Sequence, residues 1–222
     1  MWATLGSLVR VIALPVKSLA DAKSRLEPVL TPLERGALTL AMLEDVLDVT
    51  LALTGWESWV ISPDEAVLEI ALERGAHAIP EDKPPLSSAI RQVEEEALGR
   101  GVDHLAVLLA DTPLVTAPSL TRALHTLGPV VLAPALDENG TNLLVRRPPQ
   151  VIEARFGTDS YRRHLERAAE TDTPVSVVEI PEIAFDLDLP GDILTVLNAN
   201  KPGRTLQACR QMDVAKRLST RT

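Results

Sequence analysis

Cysteine is nearly absent: Cys209 is the single one in 222 residues. One thiol excludes an internal disulfide and a zinc cage built on thiolates, and it suits a reducing, cytoplasmic setting. Aromatic residues make up 3% of the chain, too few for a platform on which nucleic-acid bases stack, and Trp2, Trp56 and Trp59 are expected to pack. Positive charge is also short, with 22 Lys and Arg against 31 Asp and Glu and a net charge of −9. That excludes the broad basic face of a general nucleic-acid binder, but not a local cationic patch for one nucleotide. No apolar run approaches the roughly 20 residues that cross a bilayer. Residues 1–16 are apolar with a single basic residue, Arg10, and no small-residue cleavage pattern. A first buried strand is expected there rather than a signal peptide. The Gly-rich loops of Walker-type and dinucleotide-binding proteins are missing, as is a nucleophile elbow. His77, His104, His125 and His164 are scattered without metal-ligand spacing, and are read as structural or surface groups.

What is present is an alternation of short apolar strands and amphipathic helices. Strands are expected at residues 7–15, 58–62, 76–80, 104–110, 130–133, 141–146 and 175–180. Between them lie helical patterns, the clearest opening at Thr31-Pro32-Leu33-Glu34: a Thr cap, Pro at the first position and Glu three after the cap. Ala41, Leu43, Val46 and Leu47 give that helix one apolar face, and it is expected to end near Gly55. Further helices are expected at 64–75, 87–100, 119–127 and 160–170, with a short one after Pro190. Fully apolar strands of this kind belong in a mostly parallel sheet covered on both faces. The fold class is therefore α/β: a single Rossmann-like, three-layer α/β/α domain over residues 1–198. Residues 199–222 form a C-terminal tail with six Lys and Arg against one acid, either a frayed extension or a packing arm.

In a parallel sheet, ligands gather beyond the carboxyl ends of the strands, and four segments land there. After the first strand, Lys17, Lys23 and Arg25 place three cations within nine residues of an acidic chain. Nucleotide phosphates need such charge, although a solvated loop would look the same. The fourth strand runs into Asp111, a carboxylate poised for a divalent metal or for an ordinary turn. Asp186 and Asp188 project to one side if their segment is extended. Two carboxylates together are costly unless they share a cation, and with Asp111 they would make an oxygen-rich site suited to magnesium. The competing role is to start the final helix. Finally, Gly140-Thr141-Asn142 and Phe156-Gly157-Thr158-Asp159-Ser160 offer close backbone approach and a helix start for an oxyanion, while simple N-capping by Asp159 or Ser160 explains the second equally well.

Taken in order, these segments resemble the 2-phospho-L-lactate or phosphoenolpyruvate guanylyltransferases of deazaflavin coenzyme F-420 biosynthesis, a branch of the nucleotide-diphospho-sugar transferase-like fold. The stretches that carry the resemblance are Pro15-Val16-Lys17 through Lys23-Ser24-Arg25-Leu26, Ala41-Met42-Leu43-Glu44-Asp45-Val46, Leu109-Ala110-Asp111-Thr112-Pro113-Leu114, Gly140-Thr141-Asn142, Phe156-Gly157 to Ser160, and Asp186-Leu187-Asp188. The resemblance implies transfer of GMP from GTP to a phosphorylated three-carbon acid, with release of pyrophosphate. It implies that Asp111, Asp186 and Asp188 bind magnesium, as two ions. Thr141, Gly157 and Ser160 would hold the acceptor, and Lys17, Lys23, Arg25 and Ser88 would contact the nucleotide, with Lys17, Lys23 and Asp111 catalytic. A downstream transferase would receive the product, and a homodimer is compatible with the habit of related transferases. Two departures stand out. The family's Gly-Leu-Asn-type segment near the guanine is here Pro85-Leu86-Ser87-Ser88-Ala89, and the approach to the Thr-Asn pair is shortened to Glu138-Asn139-Gly140. Base and acceptor preference therefore stay open. A cytidylyl- or uridylyltransferase acting on a sugar phosphate is the alternative enzyme, and an inactive binding module the alternative outside enzymes.

Overall fold

The computed structural model describes residues 8–82, 85–137 and 139–219; Trp2 and Glu138 lie outside them. Seven strands form one sheet in the order β3-β2-β1-β4-β6-β5-β7. They are β1 (Arg10–Pro15), β2 (Glu57–Ser62), β3 (His77–Pro80), β4 (His104–Leu108), β5 (Val130–Pro134), β6 (Thr141–Arg146) and β7 (Val175–Val177). Only β6 runs against its neighbours; the other pairings, β1 with β2 and β4, β2 with β3, and β5 with β7, are parallel.

The strand sequences explain the layers. In β1, Ile12 and Leu14 point to one face and Val11 and Ala13 to the other, as the period of two requires. The first pair packs with Leu43, Val46 and Leu47 of α1 (Pro32–Leu51), Val67 and Ala71 of α2 (Glu65–Glu73), and Leu120 and Ala123 of α4 (Ala117–His125). The second pair packs with Ala89, Ile90, Val93 and Ala97 of α3 (Leu86–Gly99), in a cluster that also takes Ala168 of α5 (Ser160–Glu170). The mostly parallel, doubly covered sheet expected from the apolar strands is thus observed. Trp59 lies at the centre of β2 and is fully buried.

Helix α1 begins as its sequence predicts. Glu34 N–H donates to Thr31 Oγ1, and the Thr31 N–H donates to Glu34 Oε2 at 2.8 Å, closing a capping box. Elsewhere the boundaries shift. Helix α1 stops at Leu51 rather than near Gly55, and α4 starts at Ala117 because Thr116 is its N-cap, exchanging capping bonds with Ser119 at the third position. The seventh strand is shorter than expected and gives way to a four-residue helix, α6 (Pro181–Ala184).

Beyond α7 (Pro190–Ala199) lie α8 (Arg204–Gln211) and α9 (Val214–Ser219). Leu206, Cys209 and Val214 join Leu38 and Met42 of α1, together with Ile193 and Val196 of α7, in a third apolar cluster. Asp45 of α1 caps α8 directly, its two oxygens accepting from the Arg204 and Thr205 N–H groups at 2.8 Å each. Among the described residues, no helix is long and apolar enough to cross a membrane.

Candidate active site

Strand β1 has β2 on one side and β4 on the other, so successive crossovers leave it in opposite directions. A crevice opens at such a switch point, beyond the carboxyl ends of β1 and β4. The segment after β1 carries Lys17, Lys23 and Arg25, and the segment after β4 carries Asp111.

The basic loop is anchored at several points, and of its three cations Lys23 is packed while Lys17 and Arg25 are exposed. Its backbone is held at Leu19, whose N–H donates to Asp64 Oδ2 at 3.2 Å. Arg35, buried in α1, donates from Nε to the Ala22 carbonyl and from Nη1 to the Leu30 carbonyl. Lys23 sits in the left-handed region at φ 52°, just ahead of a 3₁₀ turn over Ser24–Leu26. Leu26 at the end of that turn is fully buried in the third cluster, which anchors the turn and sends the Lys23 side chain inward. Lys23 Nζ then bridges Asp111 Oδ2 at 2.8 Å and Asp188 Oδ1 at 2.7 Å. Burial works against this ammonium, but the Asp111 and Asp188 charges outweigh it and hold Lys23 above its ordinary range. Arg25 Nη1 reaches Asp188 Oδ2 at 3.4 Å. Lys17 makes no ion pair among the described residues, yet its charge helps lower Asp188.

Asp186 and Asp188 arrive from the other side of the crevice. Their segment is flanked by extended residues, Phe185 and Leu189, and the intervening Leu187 is fully buried, with Phe185 nearly so. Burying one such leucine contributes about 1.5–3 kcal/mol, which helps hold two like charges on the opposite face of the same segment. Leu187 N–H also donates to the Asp111 carbonyl at 3.0 Å, so this segment is tied to the end of β4 through the backbone. Asn142 of β6 completes the frame. Its Nδ2 donates to the Ile183 and Ala184 carbonyls at 3.0 and 2.9 Å, and to Asp186 Oδ1 at 3.3 Å. Asp192 accepts from the Asp188 and Leu189 N–H groups at 2.8 and 2.5 Å. Starting α7 is therefore a role of Asp192, which leaves the Asp188 carboxylate facing Lys23.

As a result, Asp111, Asp186 and Asp188 each offer a carboxylate oxygen within 4.8 Å of the others. Burial, then Asp111, raise the Asp186 carboxyl to about 6. Burial also pushes on Asp188, but Lys23, Arg25 and Lys17 outweigh it and hold that carboxyl below its ordinary range. Asp111 Oδ1 is buried without a hydrogen-bond partner. An orphaned oxygen, a carboxyl made harder to ionise by burial and by the neighbouring Asp111, and an all-oxygen donor set are what a hard divalent cation relieves. The residues present fit such an ion.

Thr141, Gly157 and Ser160 form a second group. Thr141 opens β6, and its Oγ1 is 3.0 Å from Nδ1 of His164 in α5. Gly157 lies at φ 107°, a conformation open to glycine, and the Ser160 N–H closes the turn onto the Gly157 carbonyl at 3.1 Å. Asp159 occupies the N-cap position of α5 in the left-handed region and makes no side-chain capping bond. Ser88 lies in the first turn of α3, its N–H donating to the Pro85 carbonyl at 2.7 Å, and no contact links it to the carboxylates.

Comparison with known proteins decides the family. The guanylyl transferase CofC-like family matches residues 9–217. The chain belongs to this family. The CofC-like chain is 38% identical over 190 residues to the phosphoenolpyruvate guanylyltransferase of Sphaerobacter thermophilus, covering 84% of this chain and 91% of that one. It is also 38% identical over 189 residues to the 2-phospho-L-lactate guanylyltransferase of Haloarcula marismortui, covering 84% of each. Among solved structures, a protein of Desulfovibrio desulfuricans G20 assigned to the nucleotide-diphospho-sugar transferases superposes with a TM-score of 0.75 at 18% identity, over 94% of this chain and 97% of that one. The fold expected from the resemblance is the one observed.

Three features of this CofC-like site were not anticipated from the sequence. Lys23 meets the carboxylates themselves, where the resemblance places it on the nucleotide. Asn142 stands in a motif whose sequence does not show it as the brace of Asp186, and Arg35 holds the basic loop from within α1. A polar residue on an otherwise apolar strand, and an arginine on the buried face of α1, are the signals that could have found the last two.

Proposed function

We propose that this protein transfers GMP from GTP to a phosphorylated three-carbon acid, phosphoenolpyruvate or 2-phospho-L-lactate, releasing pyrophosphate. The observation that carries the reading is the convergence of Asp111, Asp186 and Asp188 within 4.8 Å beside Lys23 and Arg25. An oxygen of the acceptor's phosphate attacks the α-phosphorus of GTP, a new phosphoanhydride bond forms, and the α–β bond breaks with pyrophosphate leaving. The acceptor phosphate is already anionic, so no general base is needed. The difficulty is the approach of two polyanions, which positioning and cationic charge overcome.

In this reading the three aspartates hold magnesium, which supplies charge neutralisation and alignment for the reacting phosphates when bound. Lys17, Lys23 and Arg25 give the nucleotide phosphates their cationic wall, and Ser88 lies toward the base. Thr141, Gly157 and Ser160 receive the acceptor's carboxylate and phosphate, as hydroxyls and the positive end of a helix do for anions. The names of the two bacterial and archaeal relatives, together with the trio, support this assignment.

The test is pyrophosphate release with magnesium, each nucleoside triphosphate in turn, and a panel of phospho-acids and sugar phosphates. Turnover with GTP and a three-carbon phospho-acid is the expected result. Turnover only with CTP or UTP and a sugar phosphate would replace it with a cytidylyl- or uridylyltransferase, and no release with any pair would leave a binding module.

A further inference from the structure

His164 is fully buried, on α5, and touches Thr141 together with Arg155 and Phe156, the two residues that precede Gly157. Its Nε2 lies 2.8 Å from the Arg155 backbone nitrogen. That nitrogen has only a hydrogen to offer, so Nε2 must present its lone pair. A neutral imidazole carries one ring proton, and it is therefore on Nδ1. Nδ1–H in turn donates to Thr141 Oγ1 at 3.0 Å. The same ring meets Phe156 edge-on, with centroids 5.1 Å apart and planes at 74°. Burial, then the Arg146 and Arg163 charges, keep the imidazole neutral by lowering it to about 3. Both ring nitrogens are thus committed, in one tautomer, across the physiological range.

The consequence lies in what is joined. Arg155 and Phe156 lead into Gly157 and Ser160, while Thr141 is the first residue of β6. One ring therefore sets the distance between the two halves of the acceptor-side group. It also fills an acceptor lone pair of the Thr141 hydroxyl, so the Thr141 proton is left to be donated elsewhere. Among the described residues no protein acceptor is recorded for it.

We propose that His164 is a positioning residue for the acceptor: through its Nδ1–H tautomer it spaces Thr141 from the Gly157–Ser160 turn and directs the Thr141 hydroxyl proton toward the acceptor's anionic oxygens. This rests on the reading that Thr141, Gly157 and Ser160 hold the acceptor. A histidine that served only as core filling would be replaceable without a selective effect on one substrate.

The experiment compares His164→Ala, His164→Asn and Ser160→Ala with the unaltered protein, measuring KM for the phospho-acid and for GTP separately, with circular dichroism as the check on folding. His164→Ala is expected to raise the acid KM at least tenfold and to leave the GTP KM within about twofold. His164→Asn, whose amide retains a donor near the Nδ1 position, is expected to recover part of the loss. An unchanged acid KM in His164→Ala, or an equal rise for both substrates, overturns the inference when Ser160→Ala raises the acid KM. If Ser160→Ala also leaves the acid KM unchanged, the acceptor reading itself fails. Should His164→Ala not fold, the imidazole nitrogen shifts of the unaltered protein decide. Nδ1 protonated and Nε2 bare between pH 5.5 and 8 (roughly the His titration range) is expected, and a protonated Nε2 refutes the tautomer on which the proposal stands.

Discussion

Lys23 occupies, with its ammonium, the place where the carboxylates would receive a divalent cation, and replacing it with methionine gives a prediction of definite sign. Methionine keeps the length of the side chain and removes the charge. Each of the Lys23 contacts, at 2.8 and 2.7 Å, is worth about 6 kcal/mol of gross attraction at an effective dielectric of about 20. Most of that is offset by the cost of taking the ammonium out of water, since the Lys23 side chain is 8% exposed. Breaking such a pair by deleting one partner nevertheless costs about 3–5 kcal/mol, because the remaining charges lose their compensation. For a chain of this length that lowers the metal-free melting temperature by roughly 6–20 °C. The same deletion removes a competitor for the carboxylates. Manganese affinity measured by calorimetry without nucleotide is therefore expected to rise at least about tenfold, or about 1.4 kcal/mol. Added manganese should restore more of the melting temperature in Lys23→Met than in the unaltered protein. Unchanged or weaker manganese binding in that variant would show that the ammonium and the ion do not share a place, and would refute the reasoning.

Three further outcomes follow from other parts of the molecule. Asn142→Ala removes the side-chain donor to the Ile183 and Ala184 carbonyls, of which Ala184 keeps the Leu136 N–H, and should cost about 1–3 kcal/mol; equal stability by denaturant titration would contradict its bracing role. Gly203→Ala places a Cβ 2.6 Å from Asp45 Oδ2, the oxygen that caps α8, and should cost about 1–3 kcal/mol; a neutral result would mean that the cap yields freely. Glu34 is lowered to about 2, chiefly by the Arg217 hydrogen bond and the Thr31 N–H. Its folded value lies below its unfolded one, so its contribution to stability is complete above about pH 4.5 and fades as pH falls toward 2. Glu34→Gln should therefore flatten the acid limb of the stability curve, and an unaltered limb would contradict the assignment.

Local chemistry made much of this molecule legible. Thr31-Pro32 with Glu34 announces a capped helix because every partner lies within three positions, and the apolar run that leads to Asp111 marks β4 and its carboxyl end. Asp186 and Asp188 are readable as a pair because an extended segment puts alternate residues on one side. Their meeting with Asp111 follows in sequence only as an option beside helix capping, since the Leu187-to-Asp111 backbone bond that makes it spans 76 positions. Helix α6 is too short to show a period. His164 reads in sequence as a structural or surface group, because its partners at Thr141 and Arg155 come from different parts of the chain. The tail shows a weak apolar pattern by itself, and its order depends on Asp45 and Met42 of a helix some 160 positions earlier.

The central claim is that Asp111, Asp186 and Asp188 hold divalent cations for a nucleotidyl transfer. The most direct measurement is anomalous scattering from a crystal grown with manganese and GTP, alongside one of Asp188→Asn under the same conditions. A peak bounded by the three carboxylates, weakened or lost in Asp188→Asn together with turnover, is the predicted result. Manganese found elsewhere, with the three side chains free of it and Lys23 still bridging Asp111 and Asp188, would contradict the account.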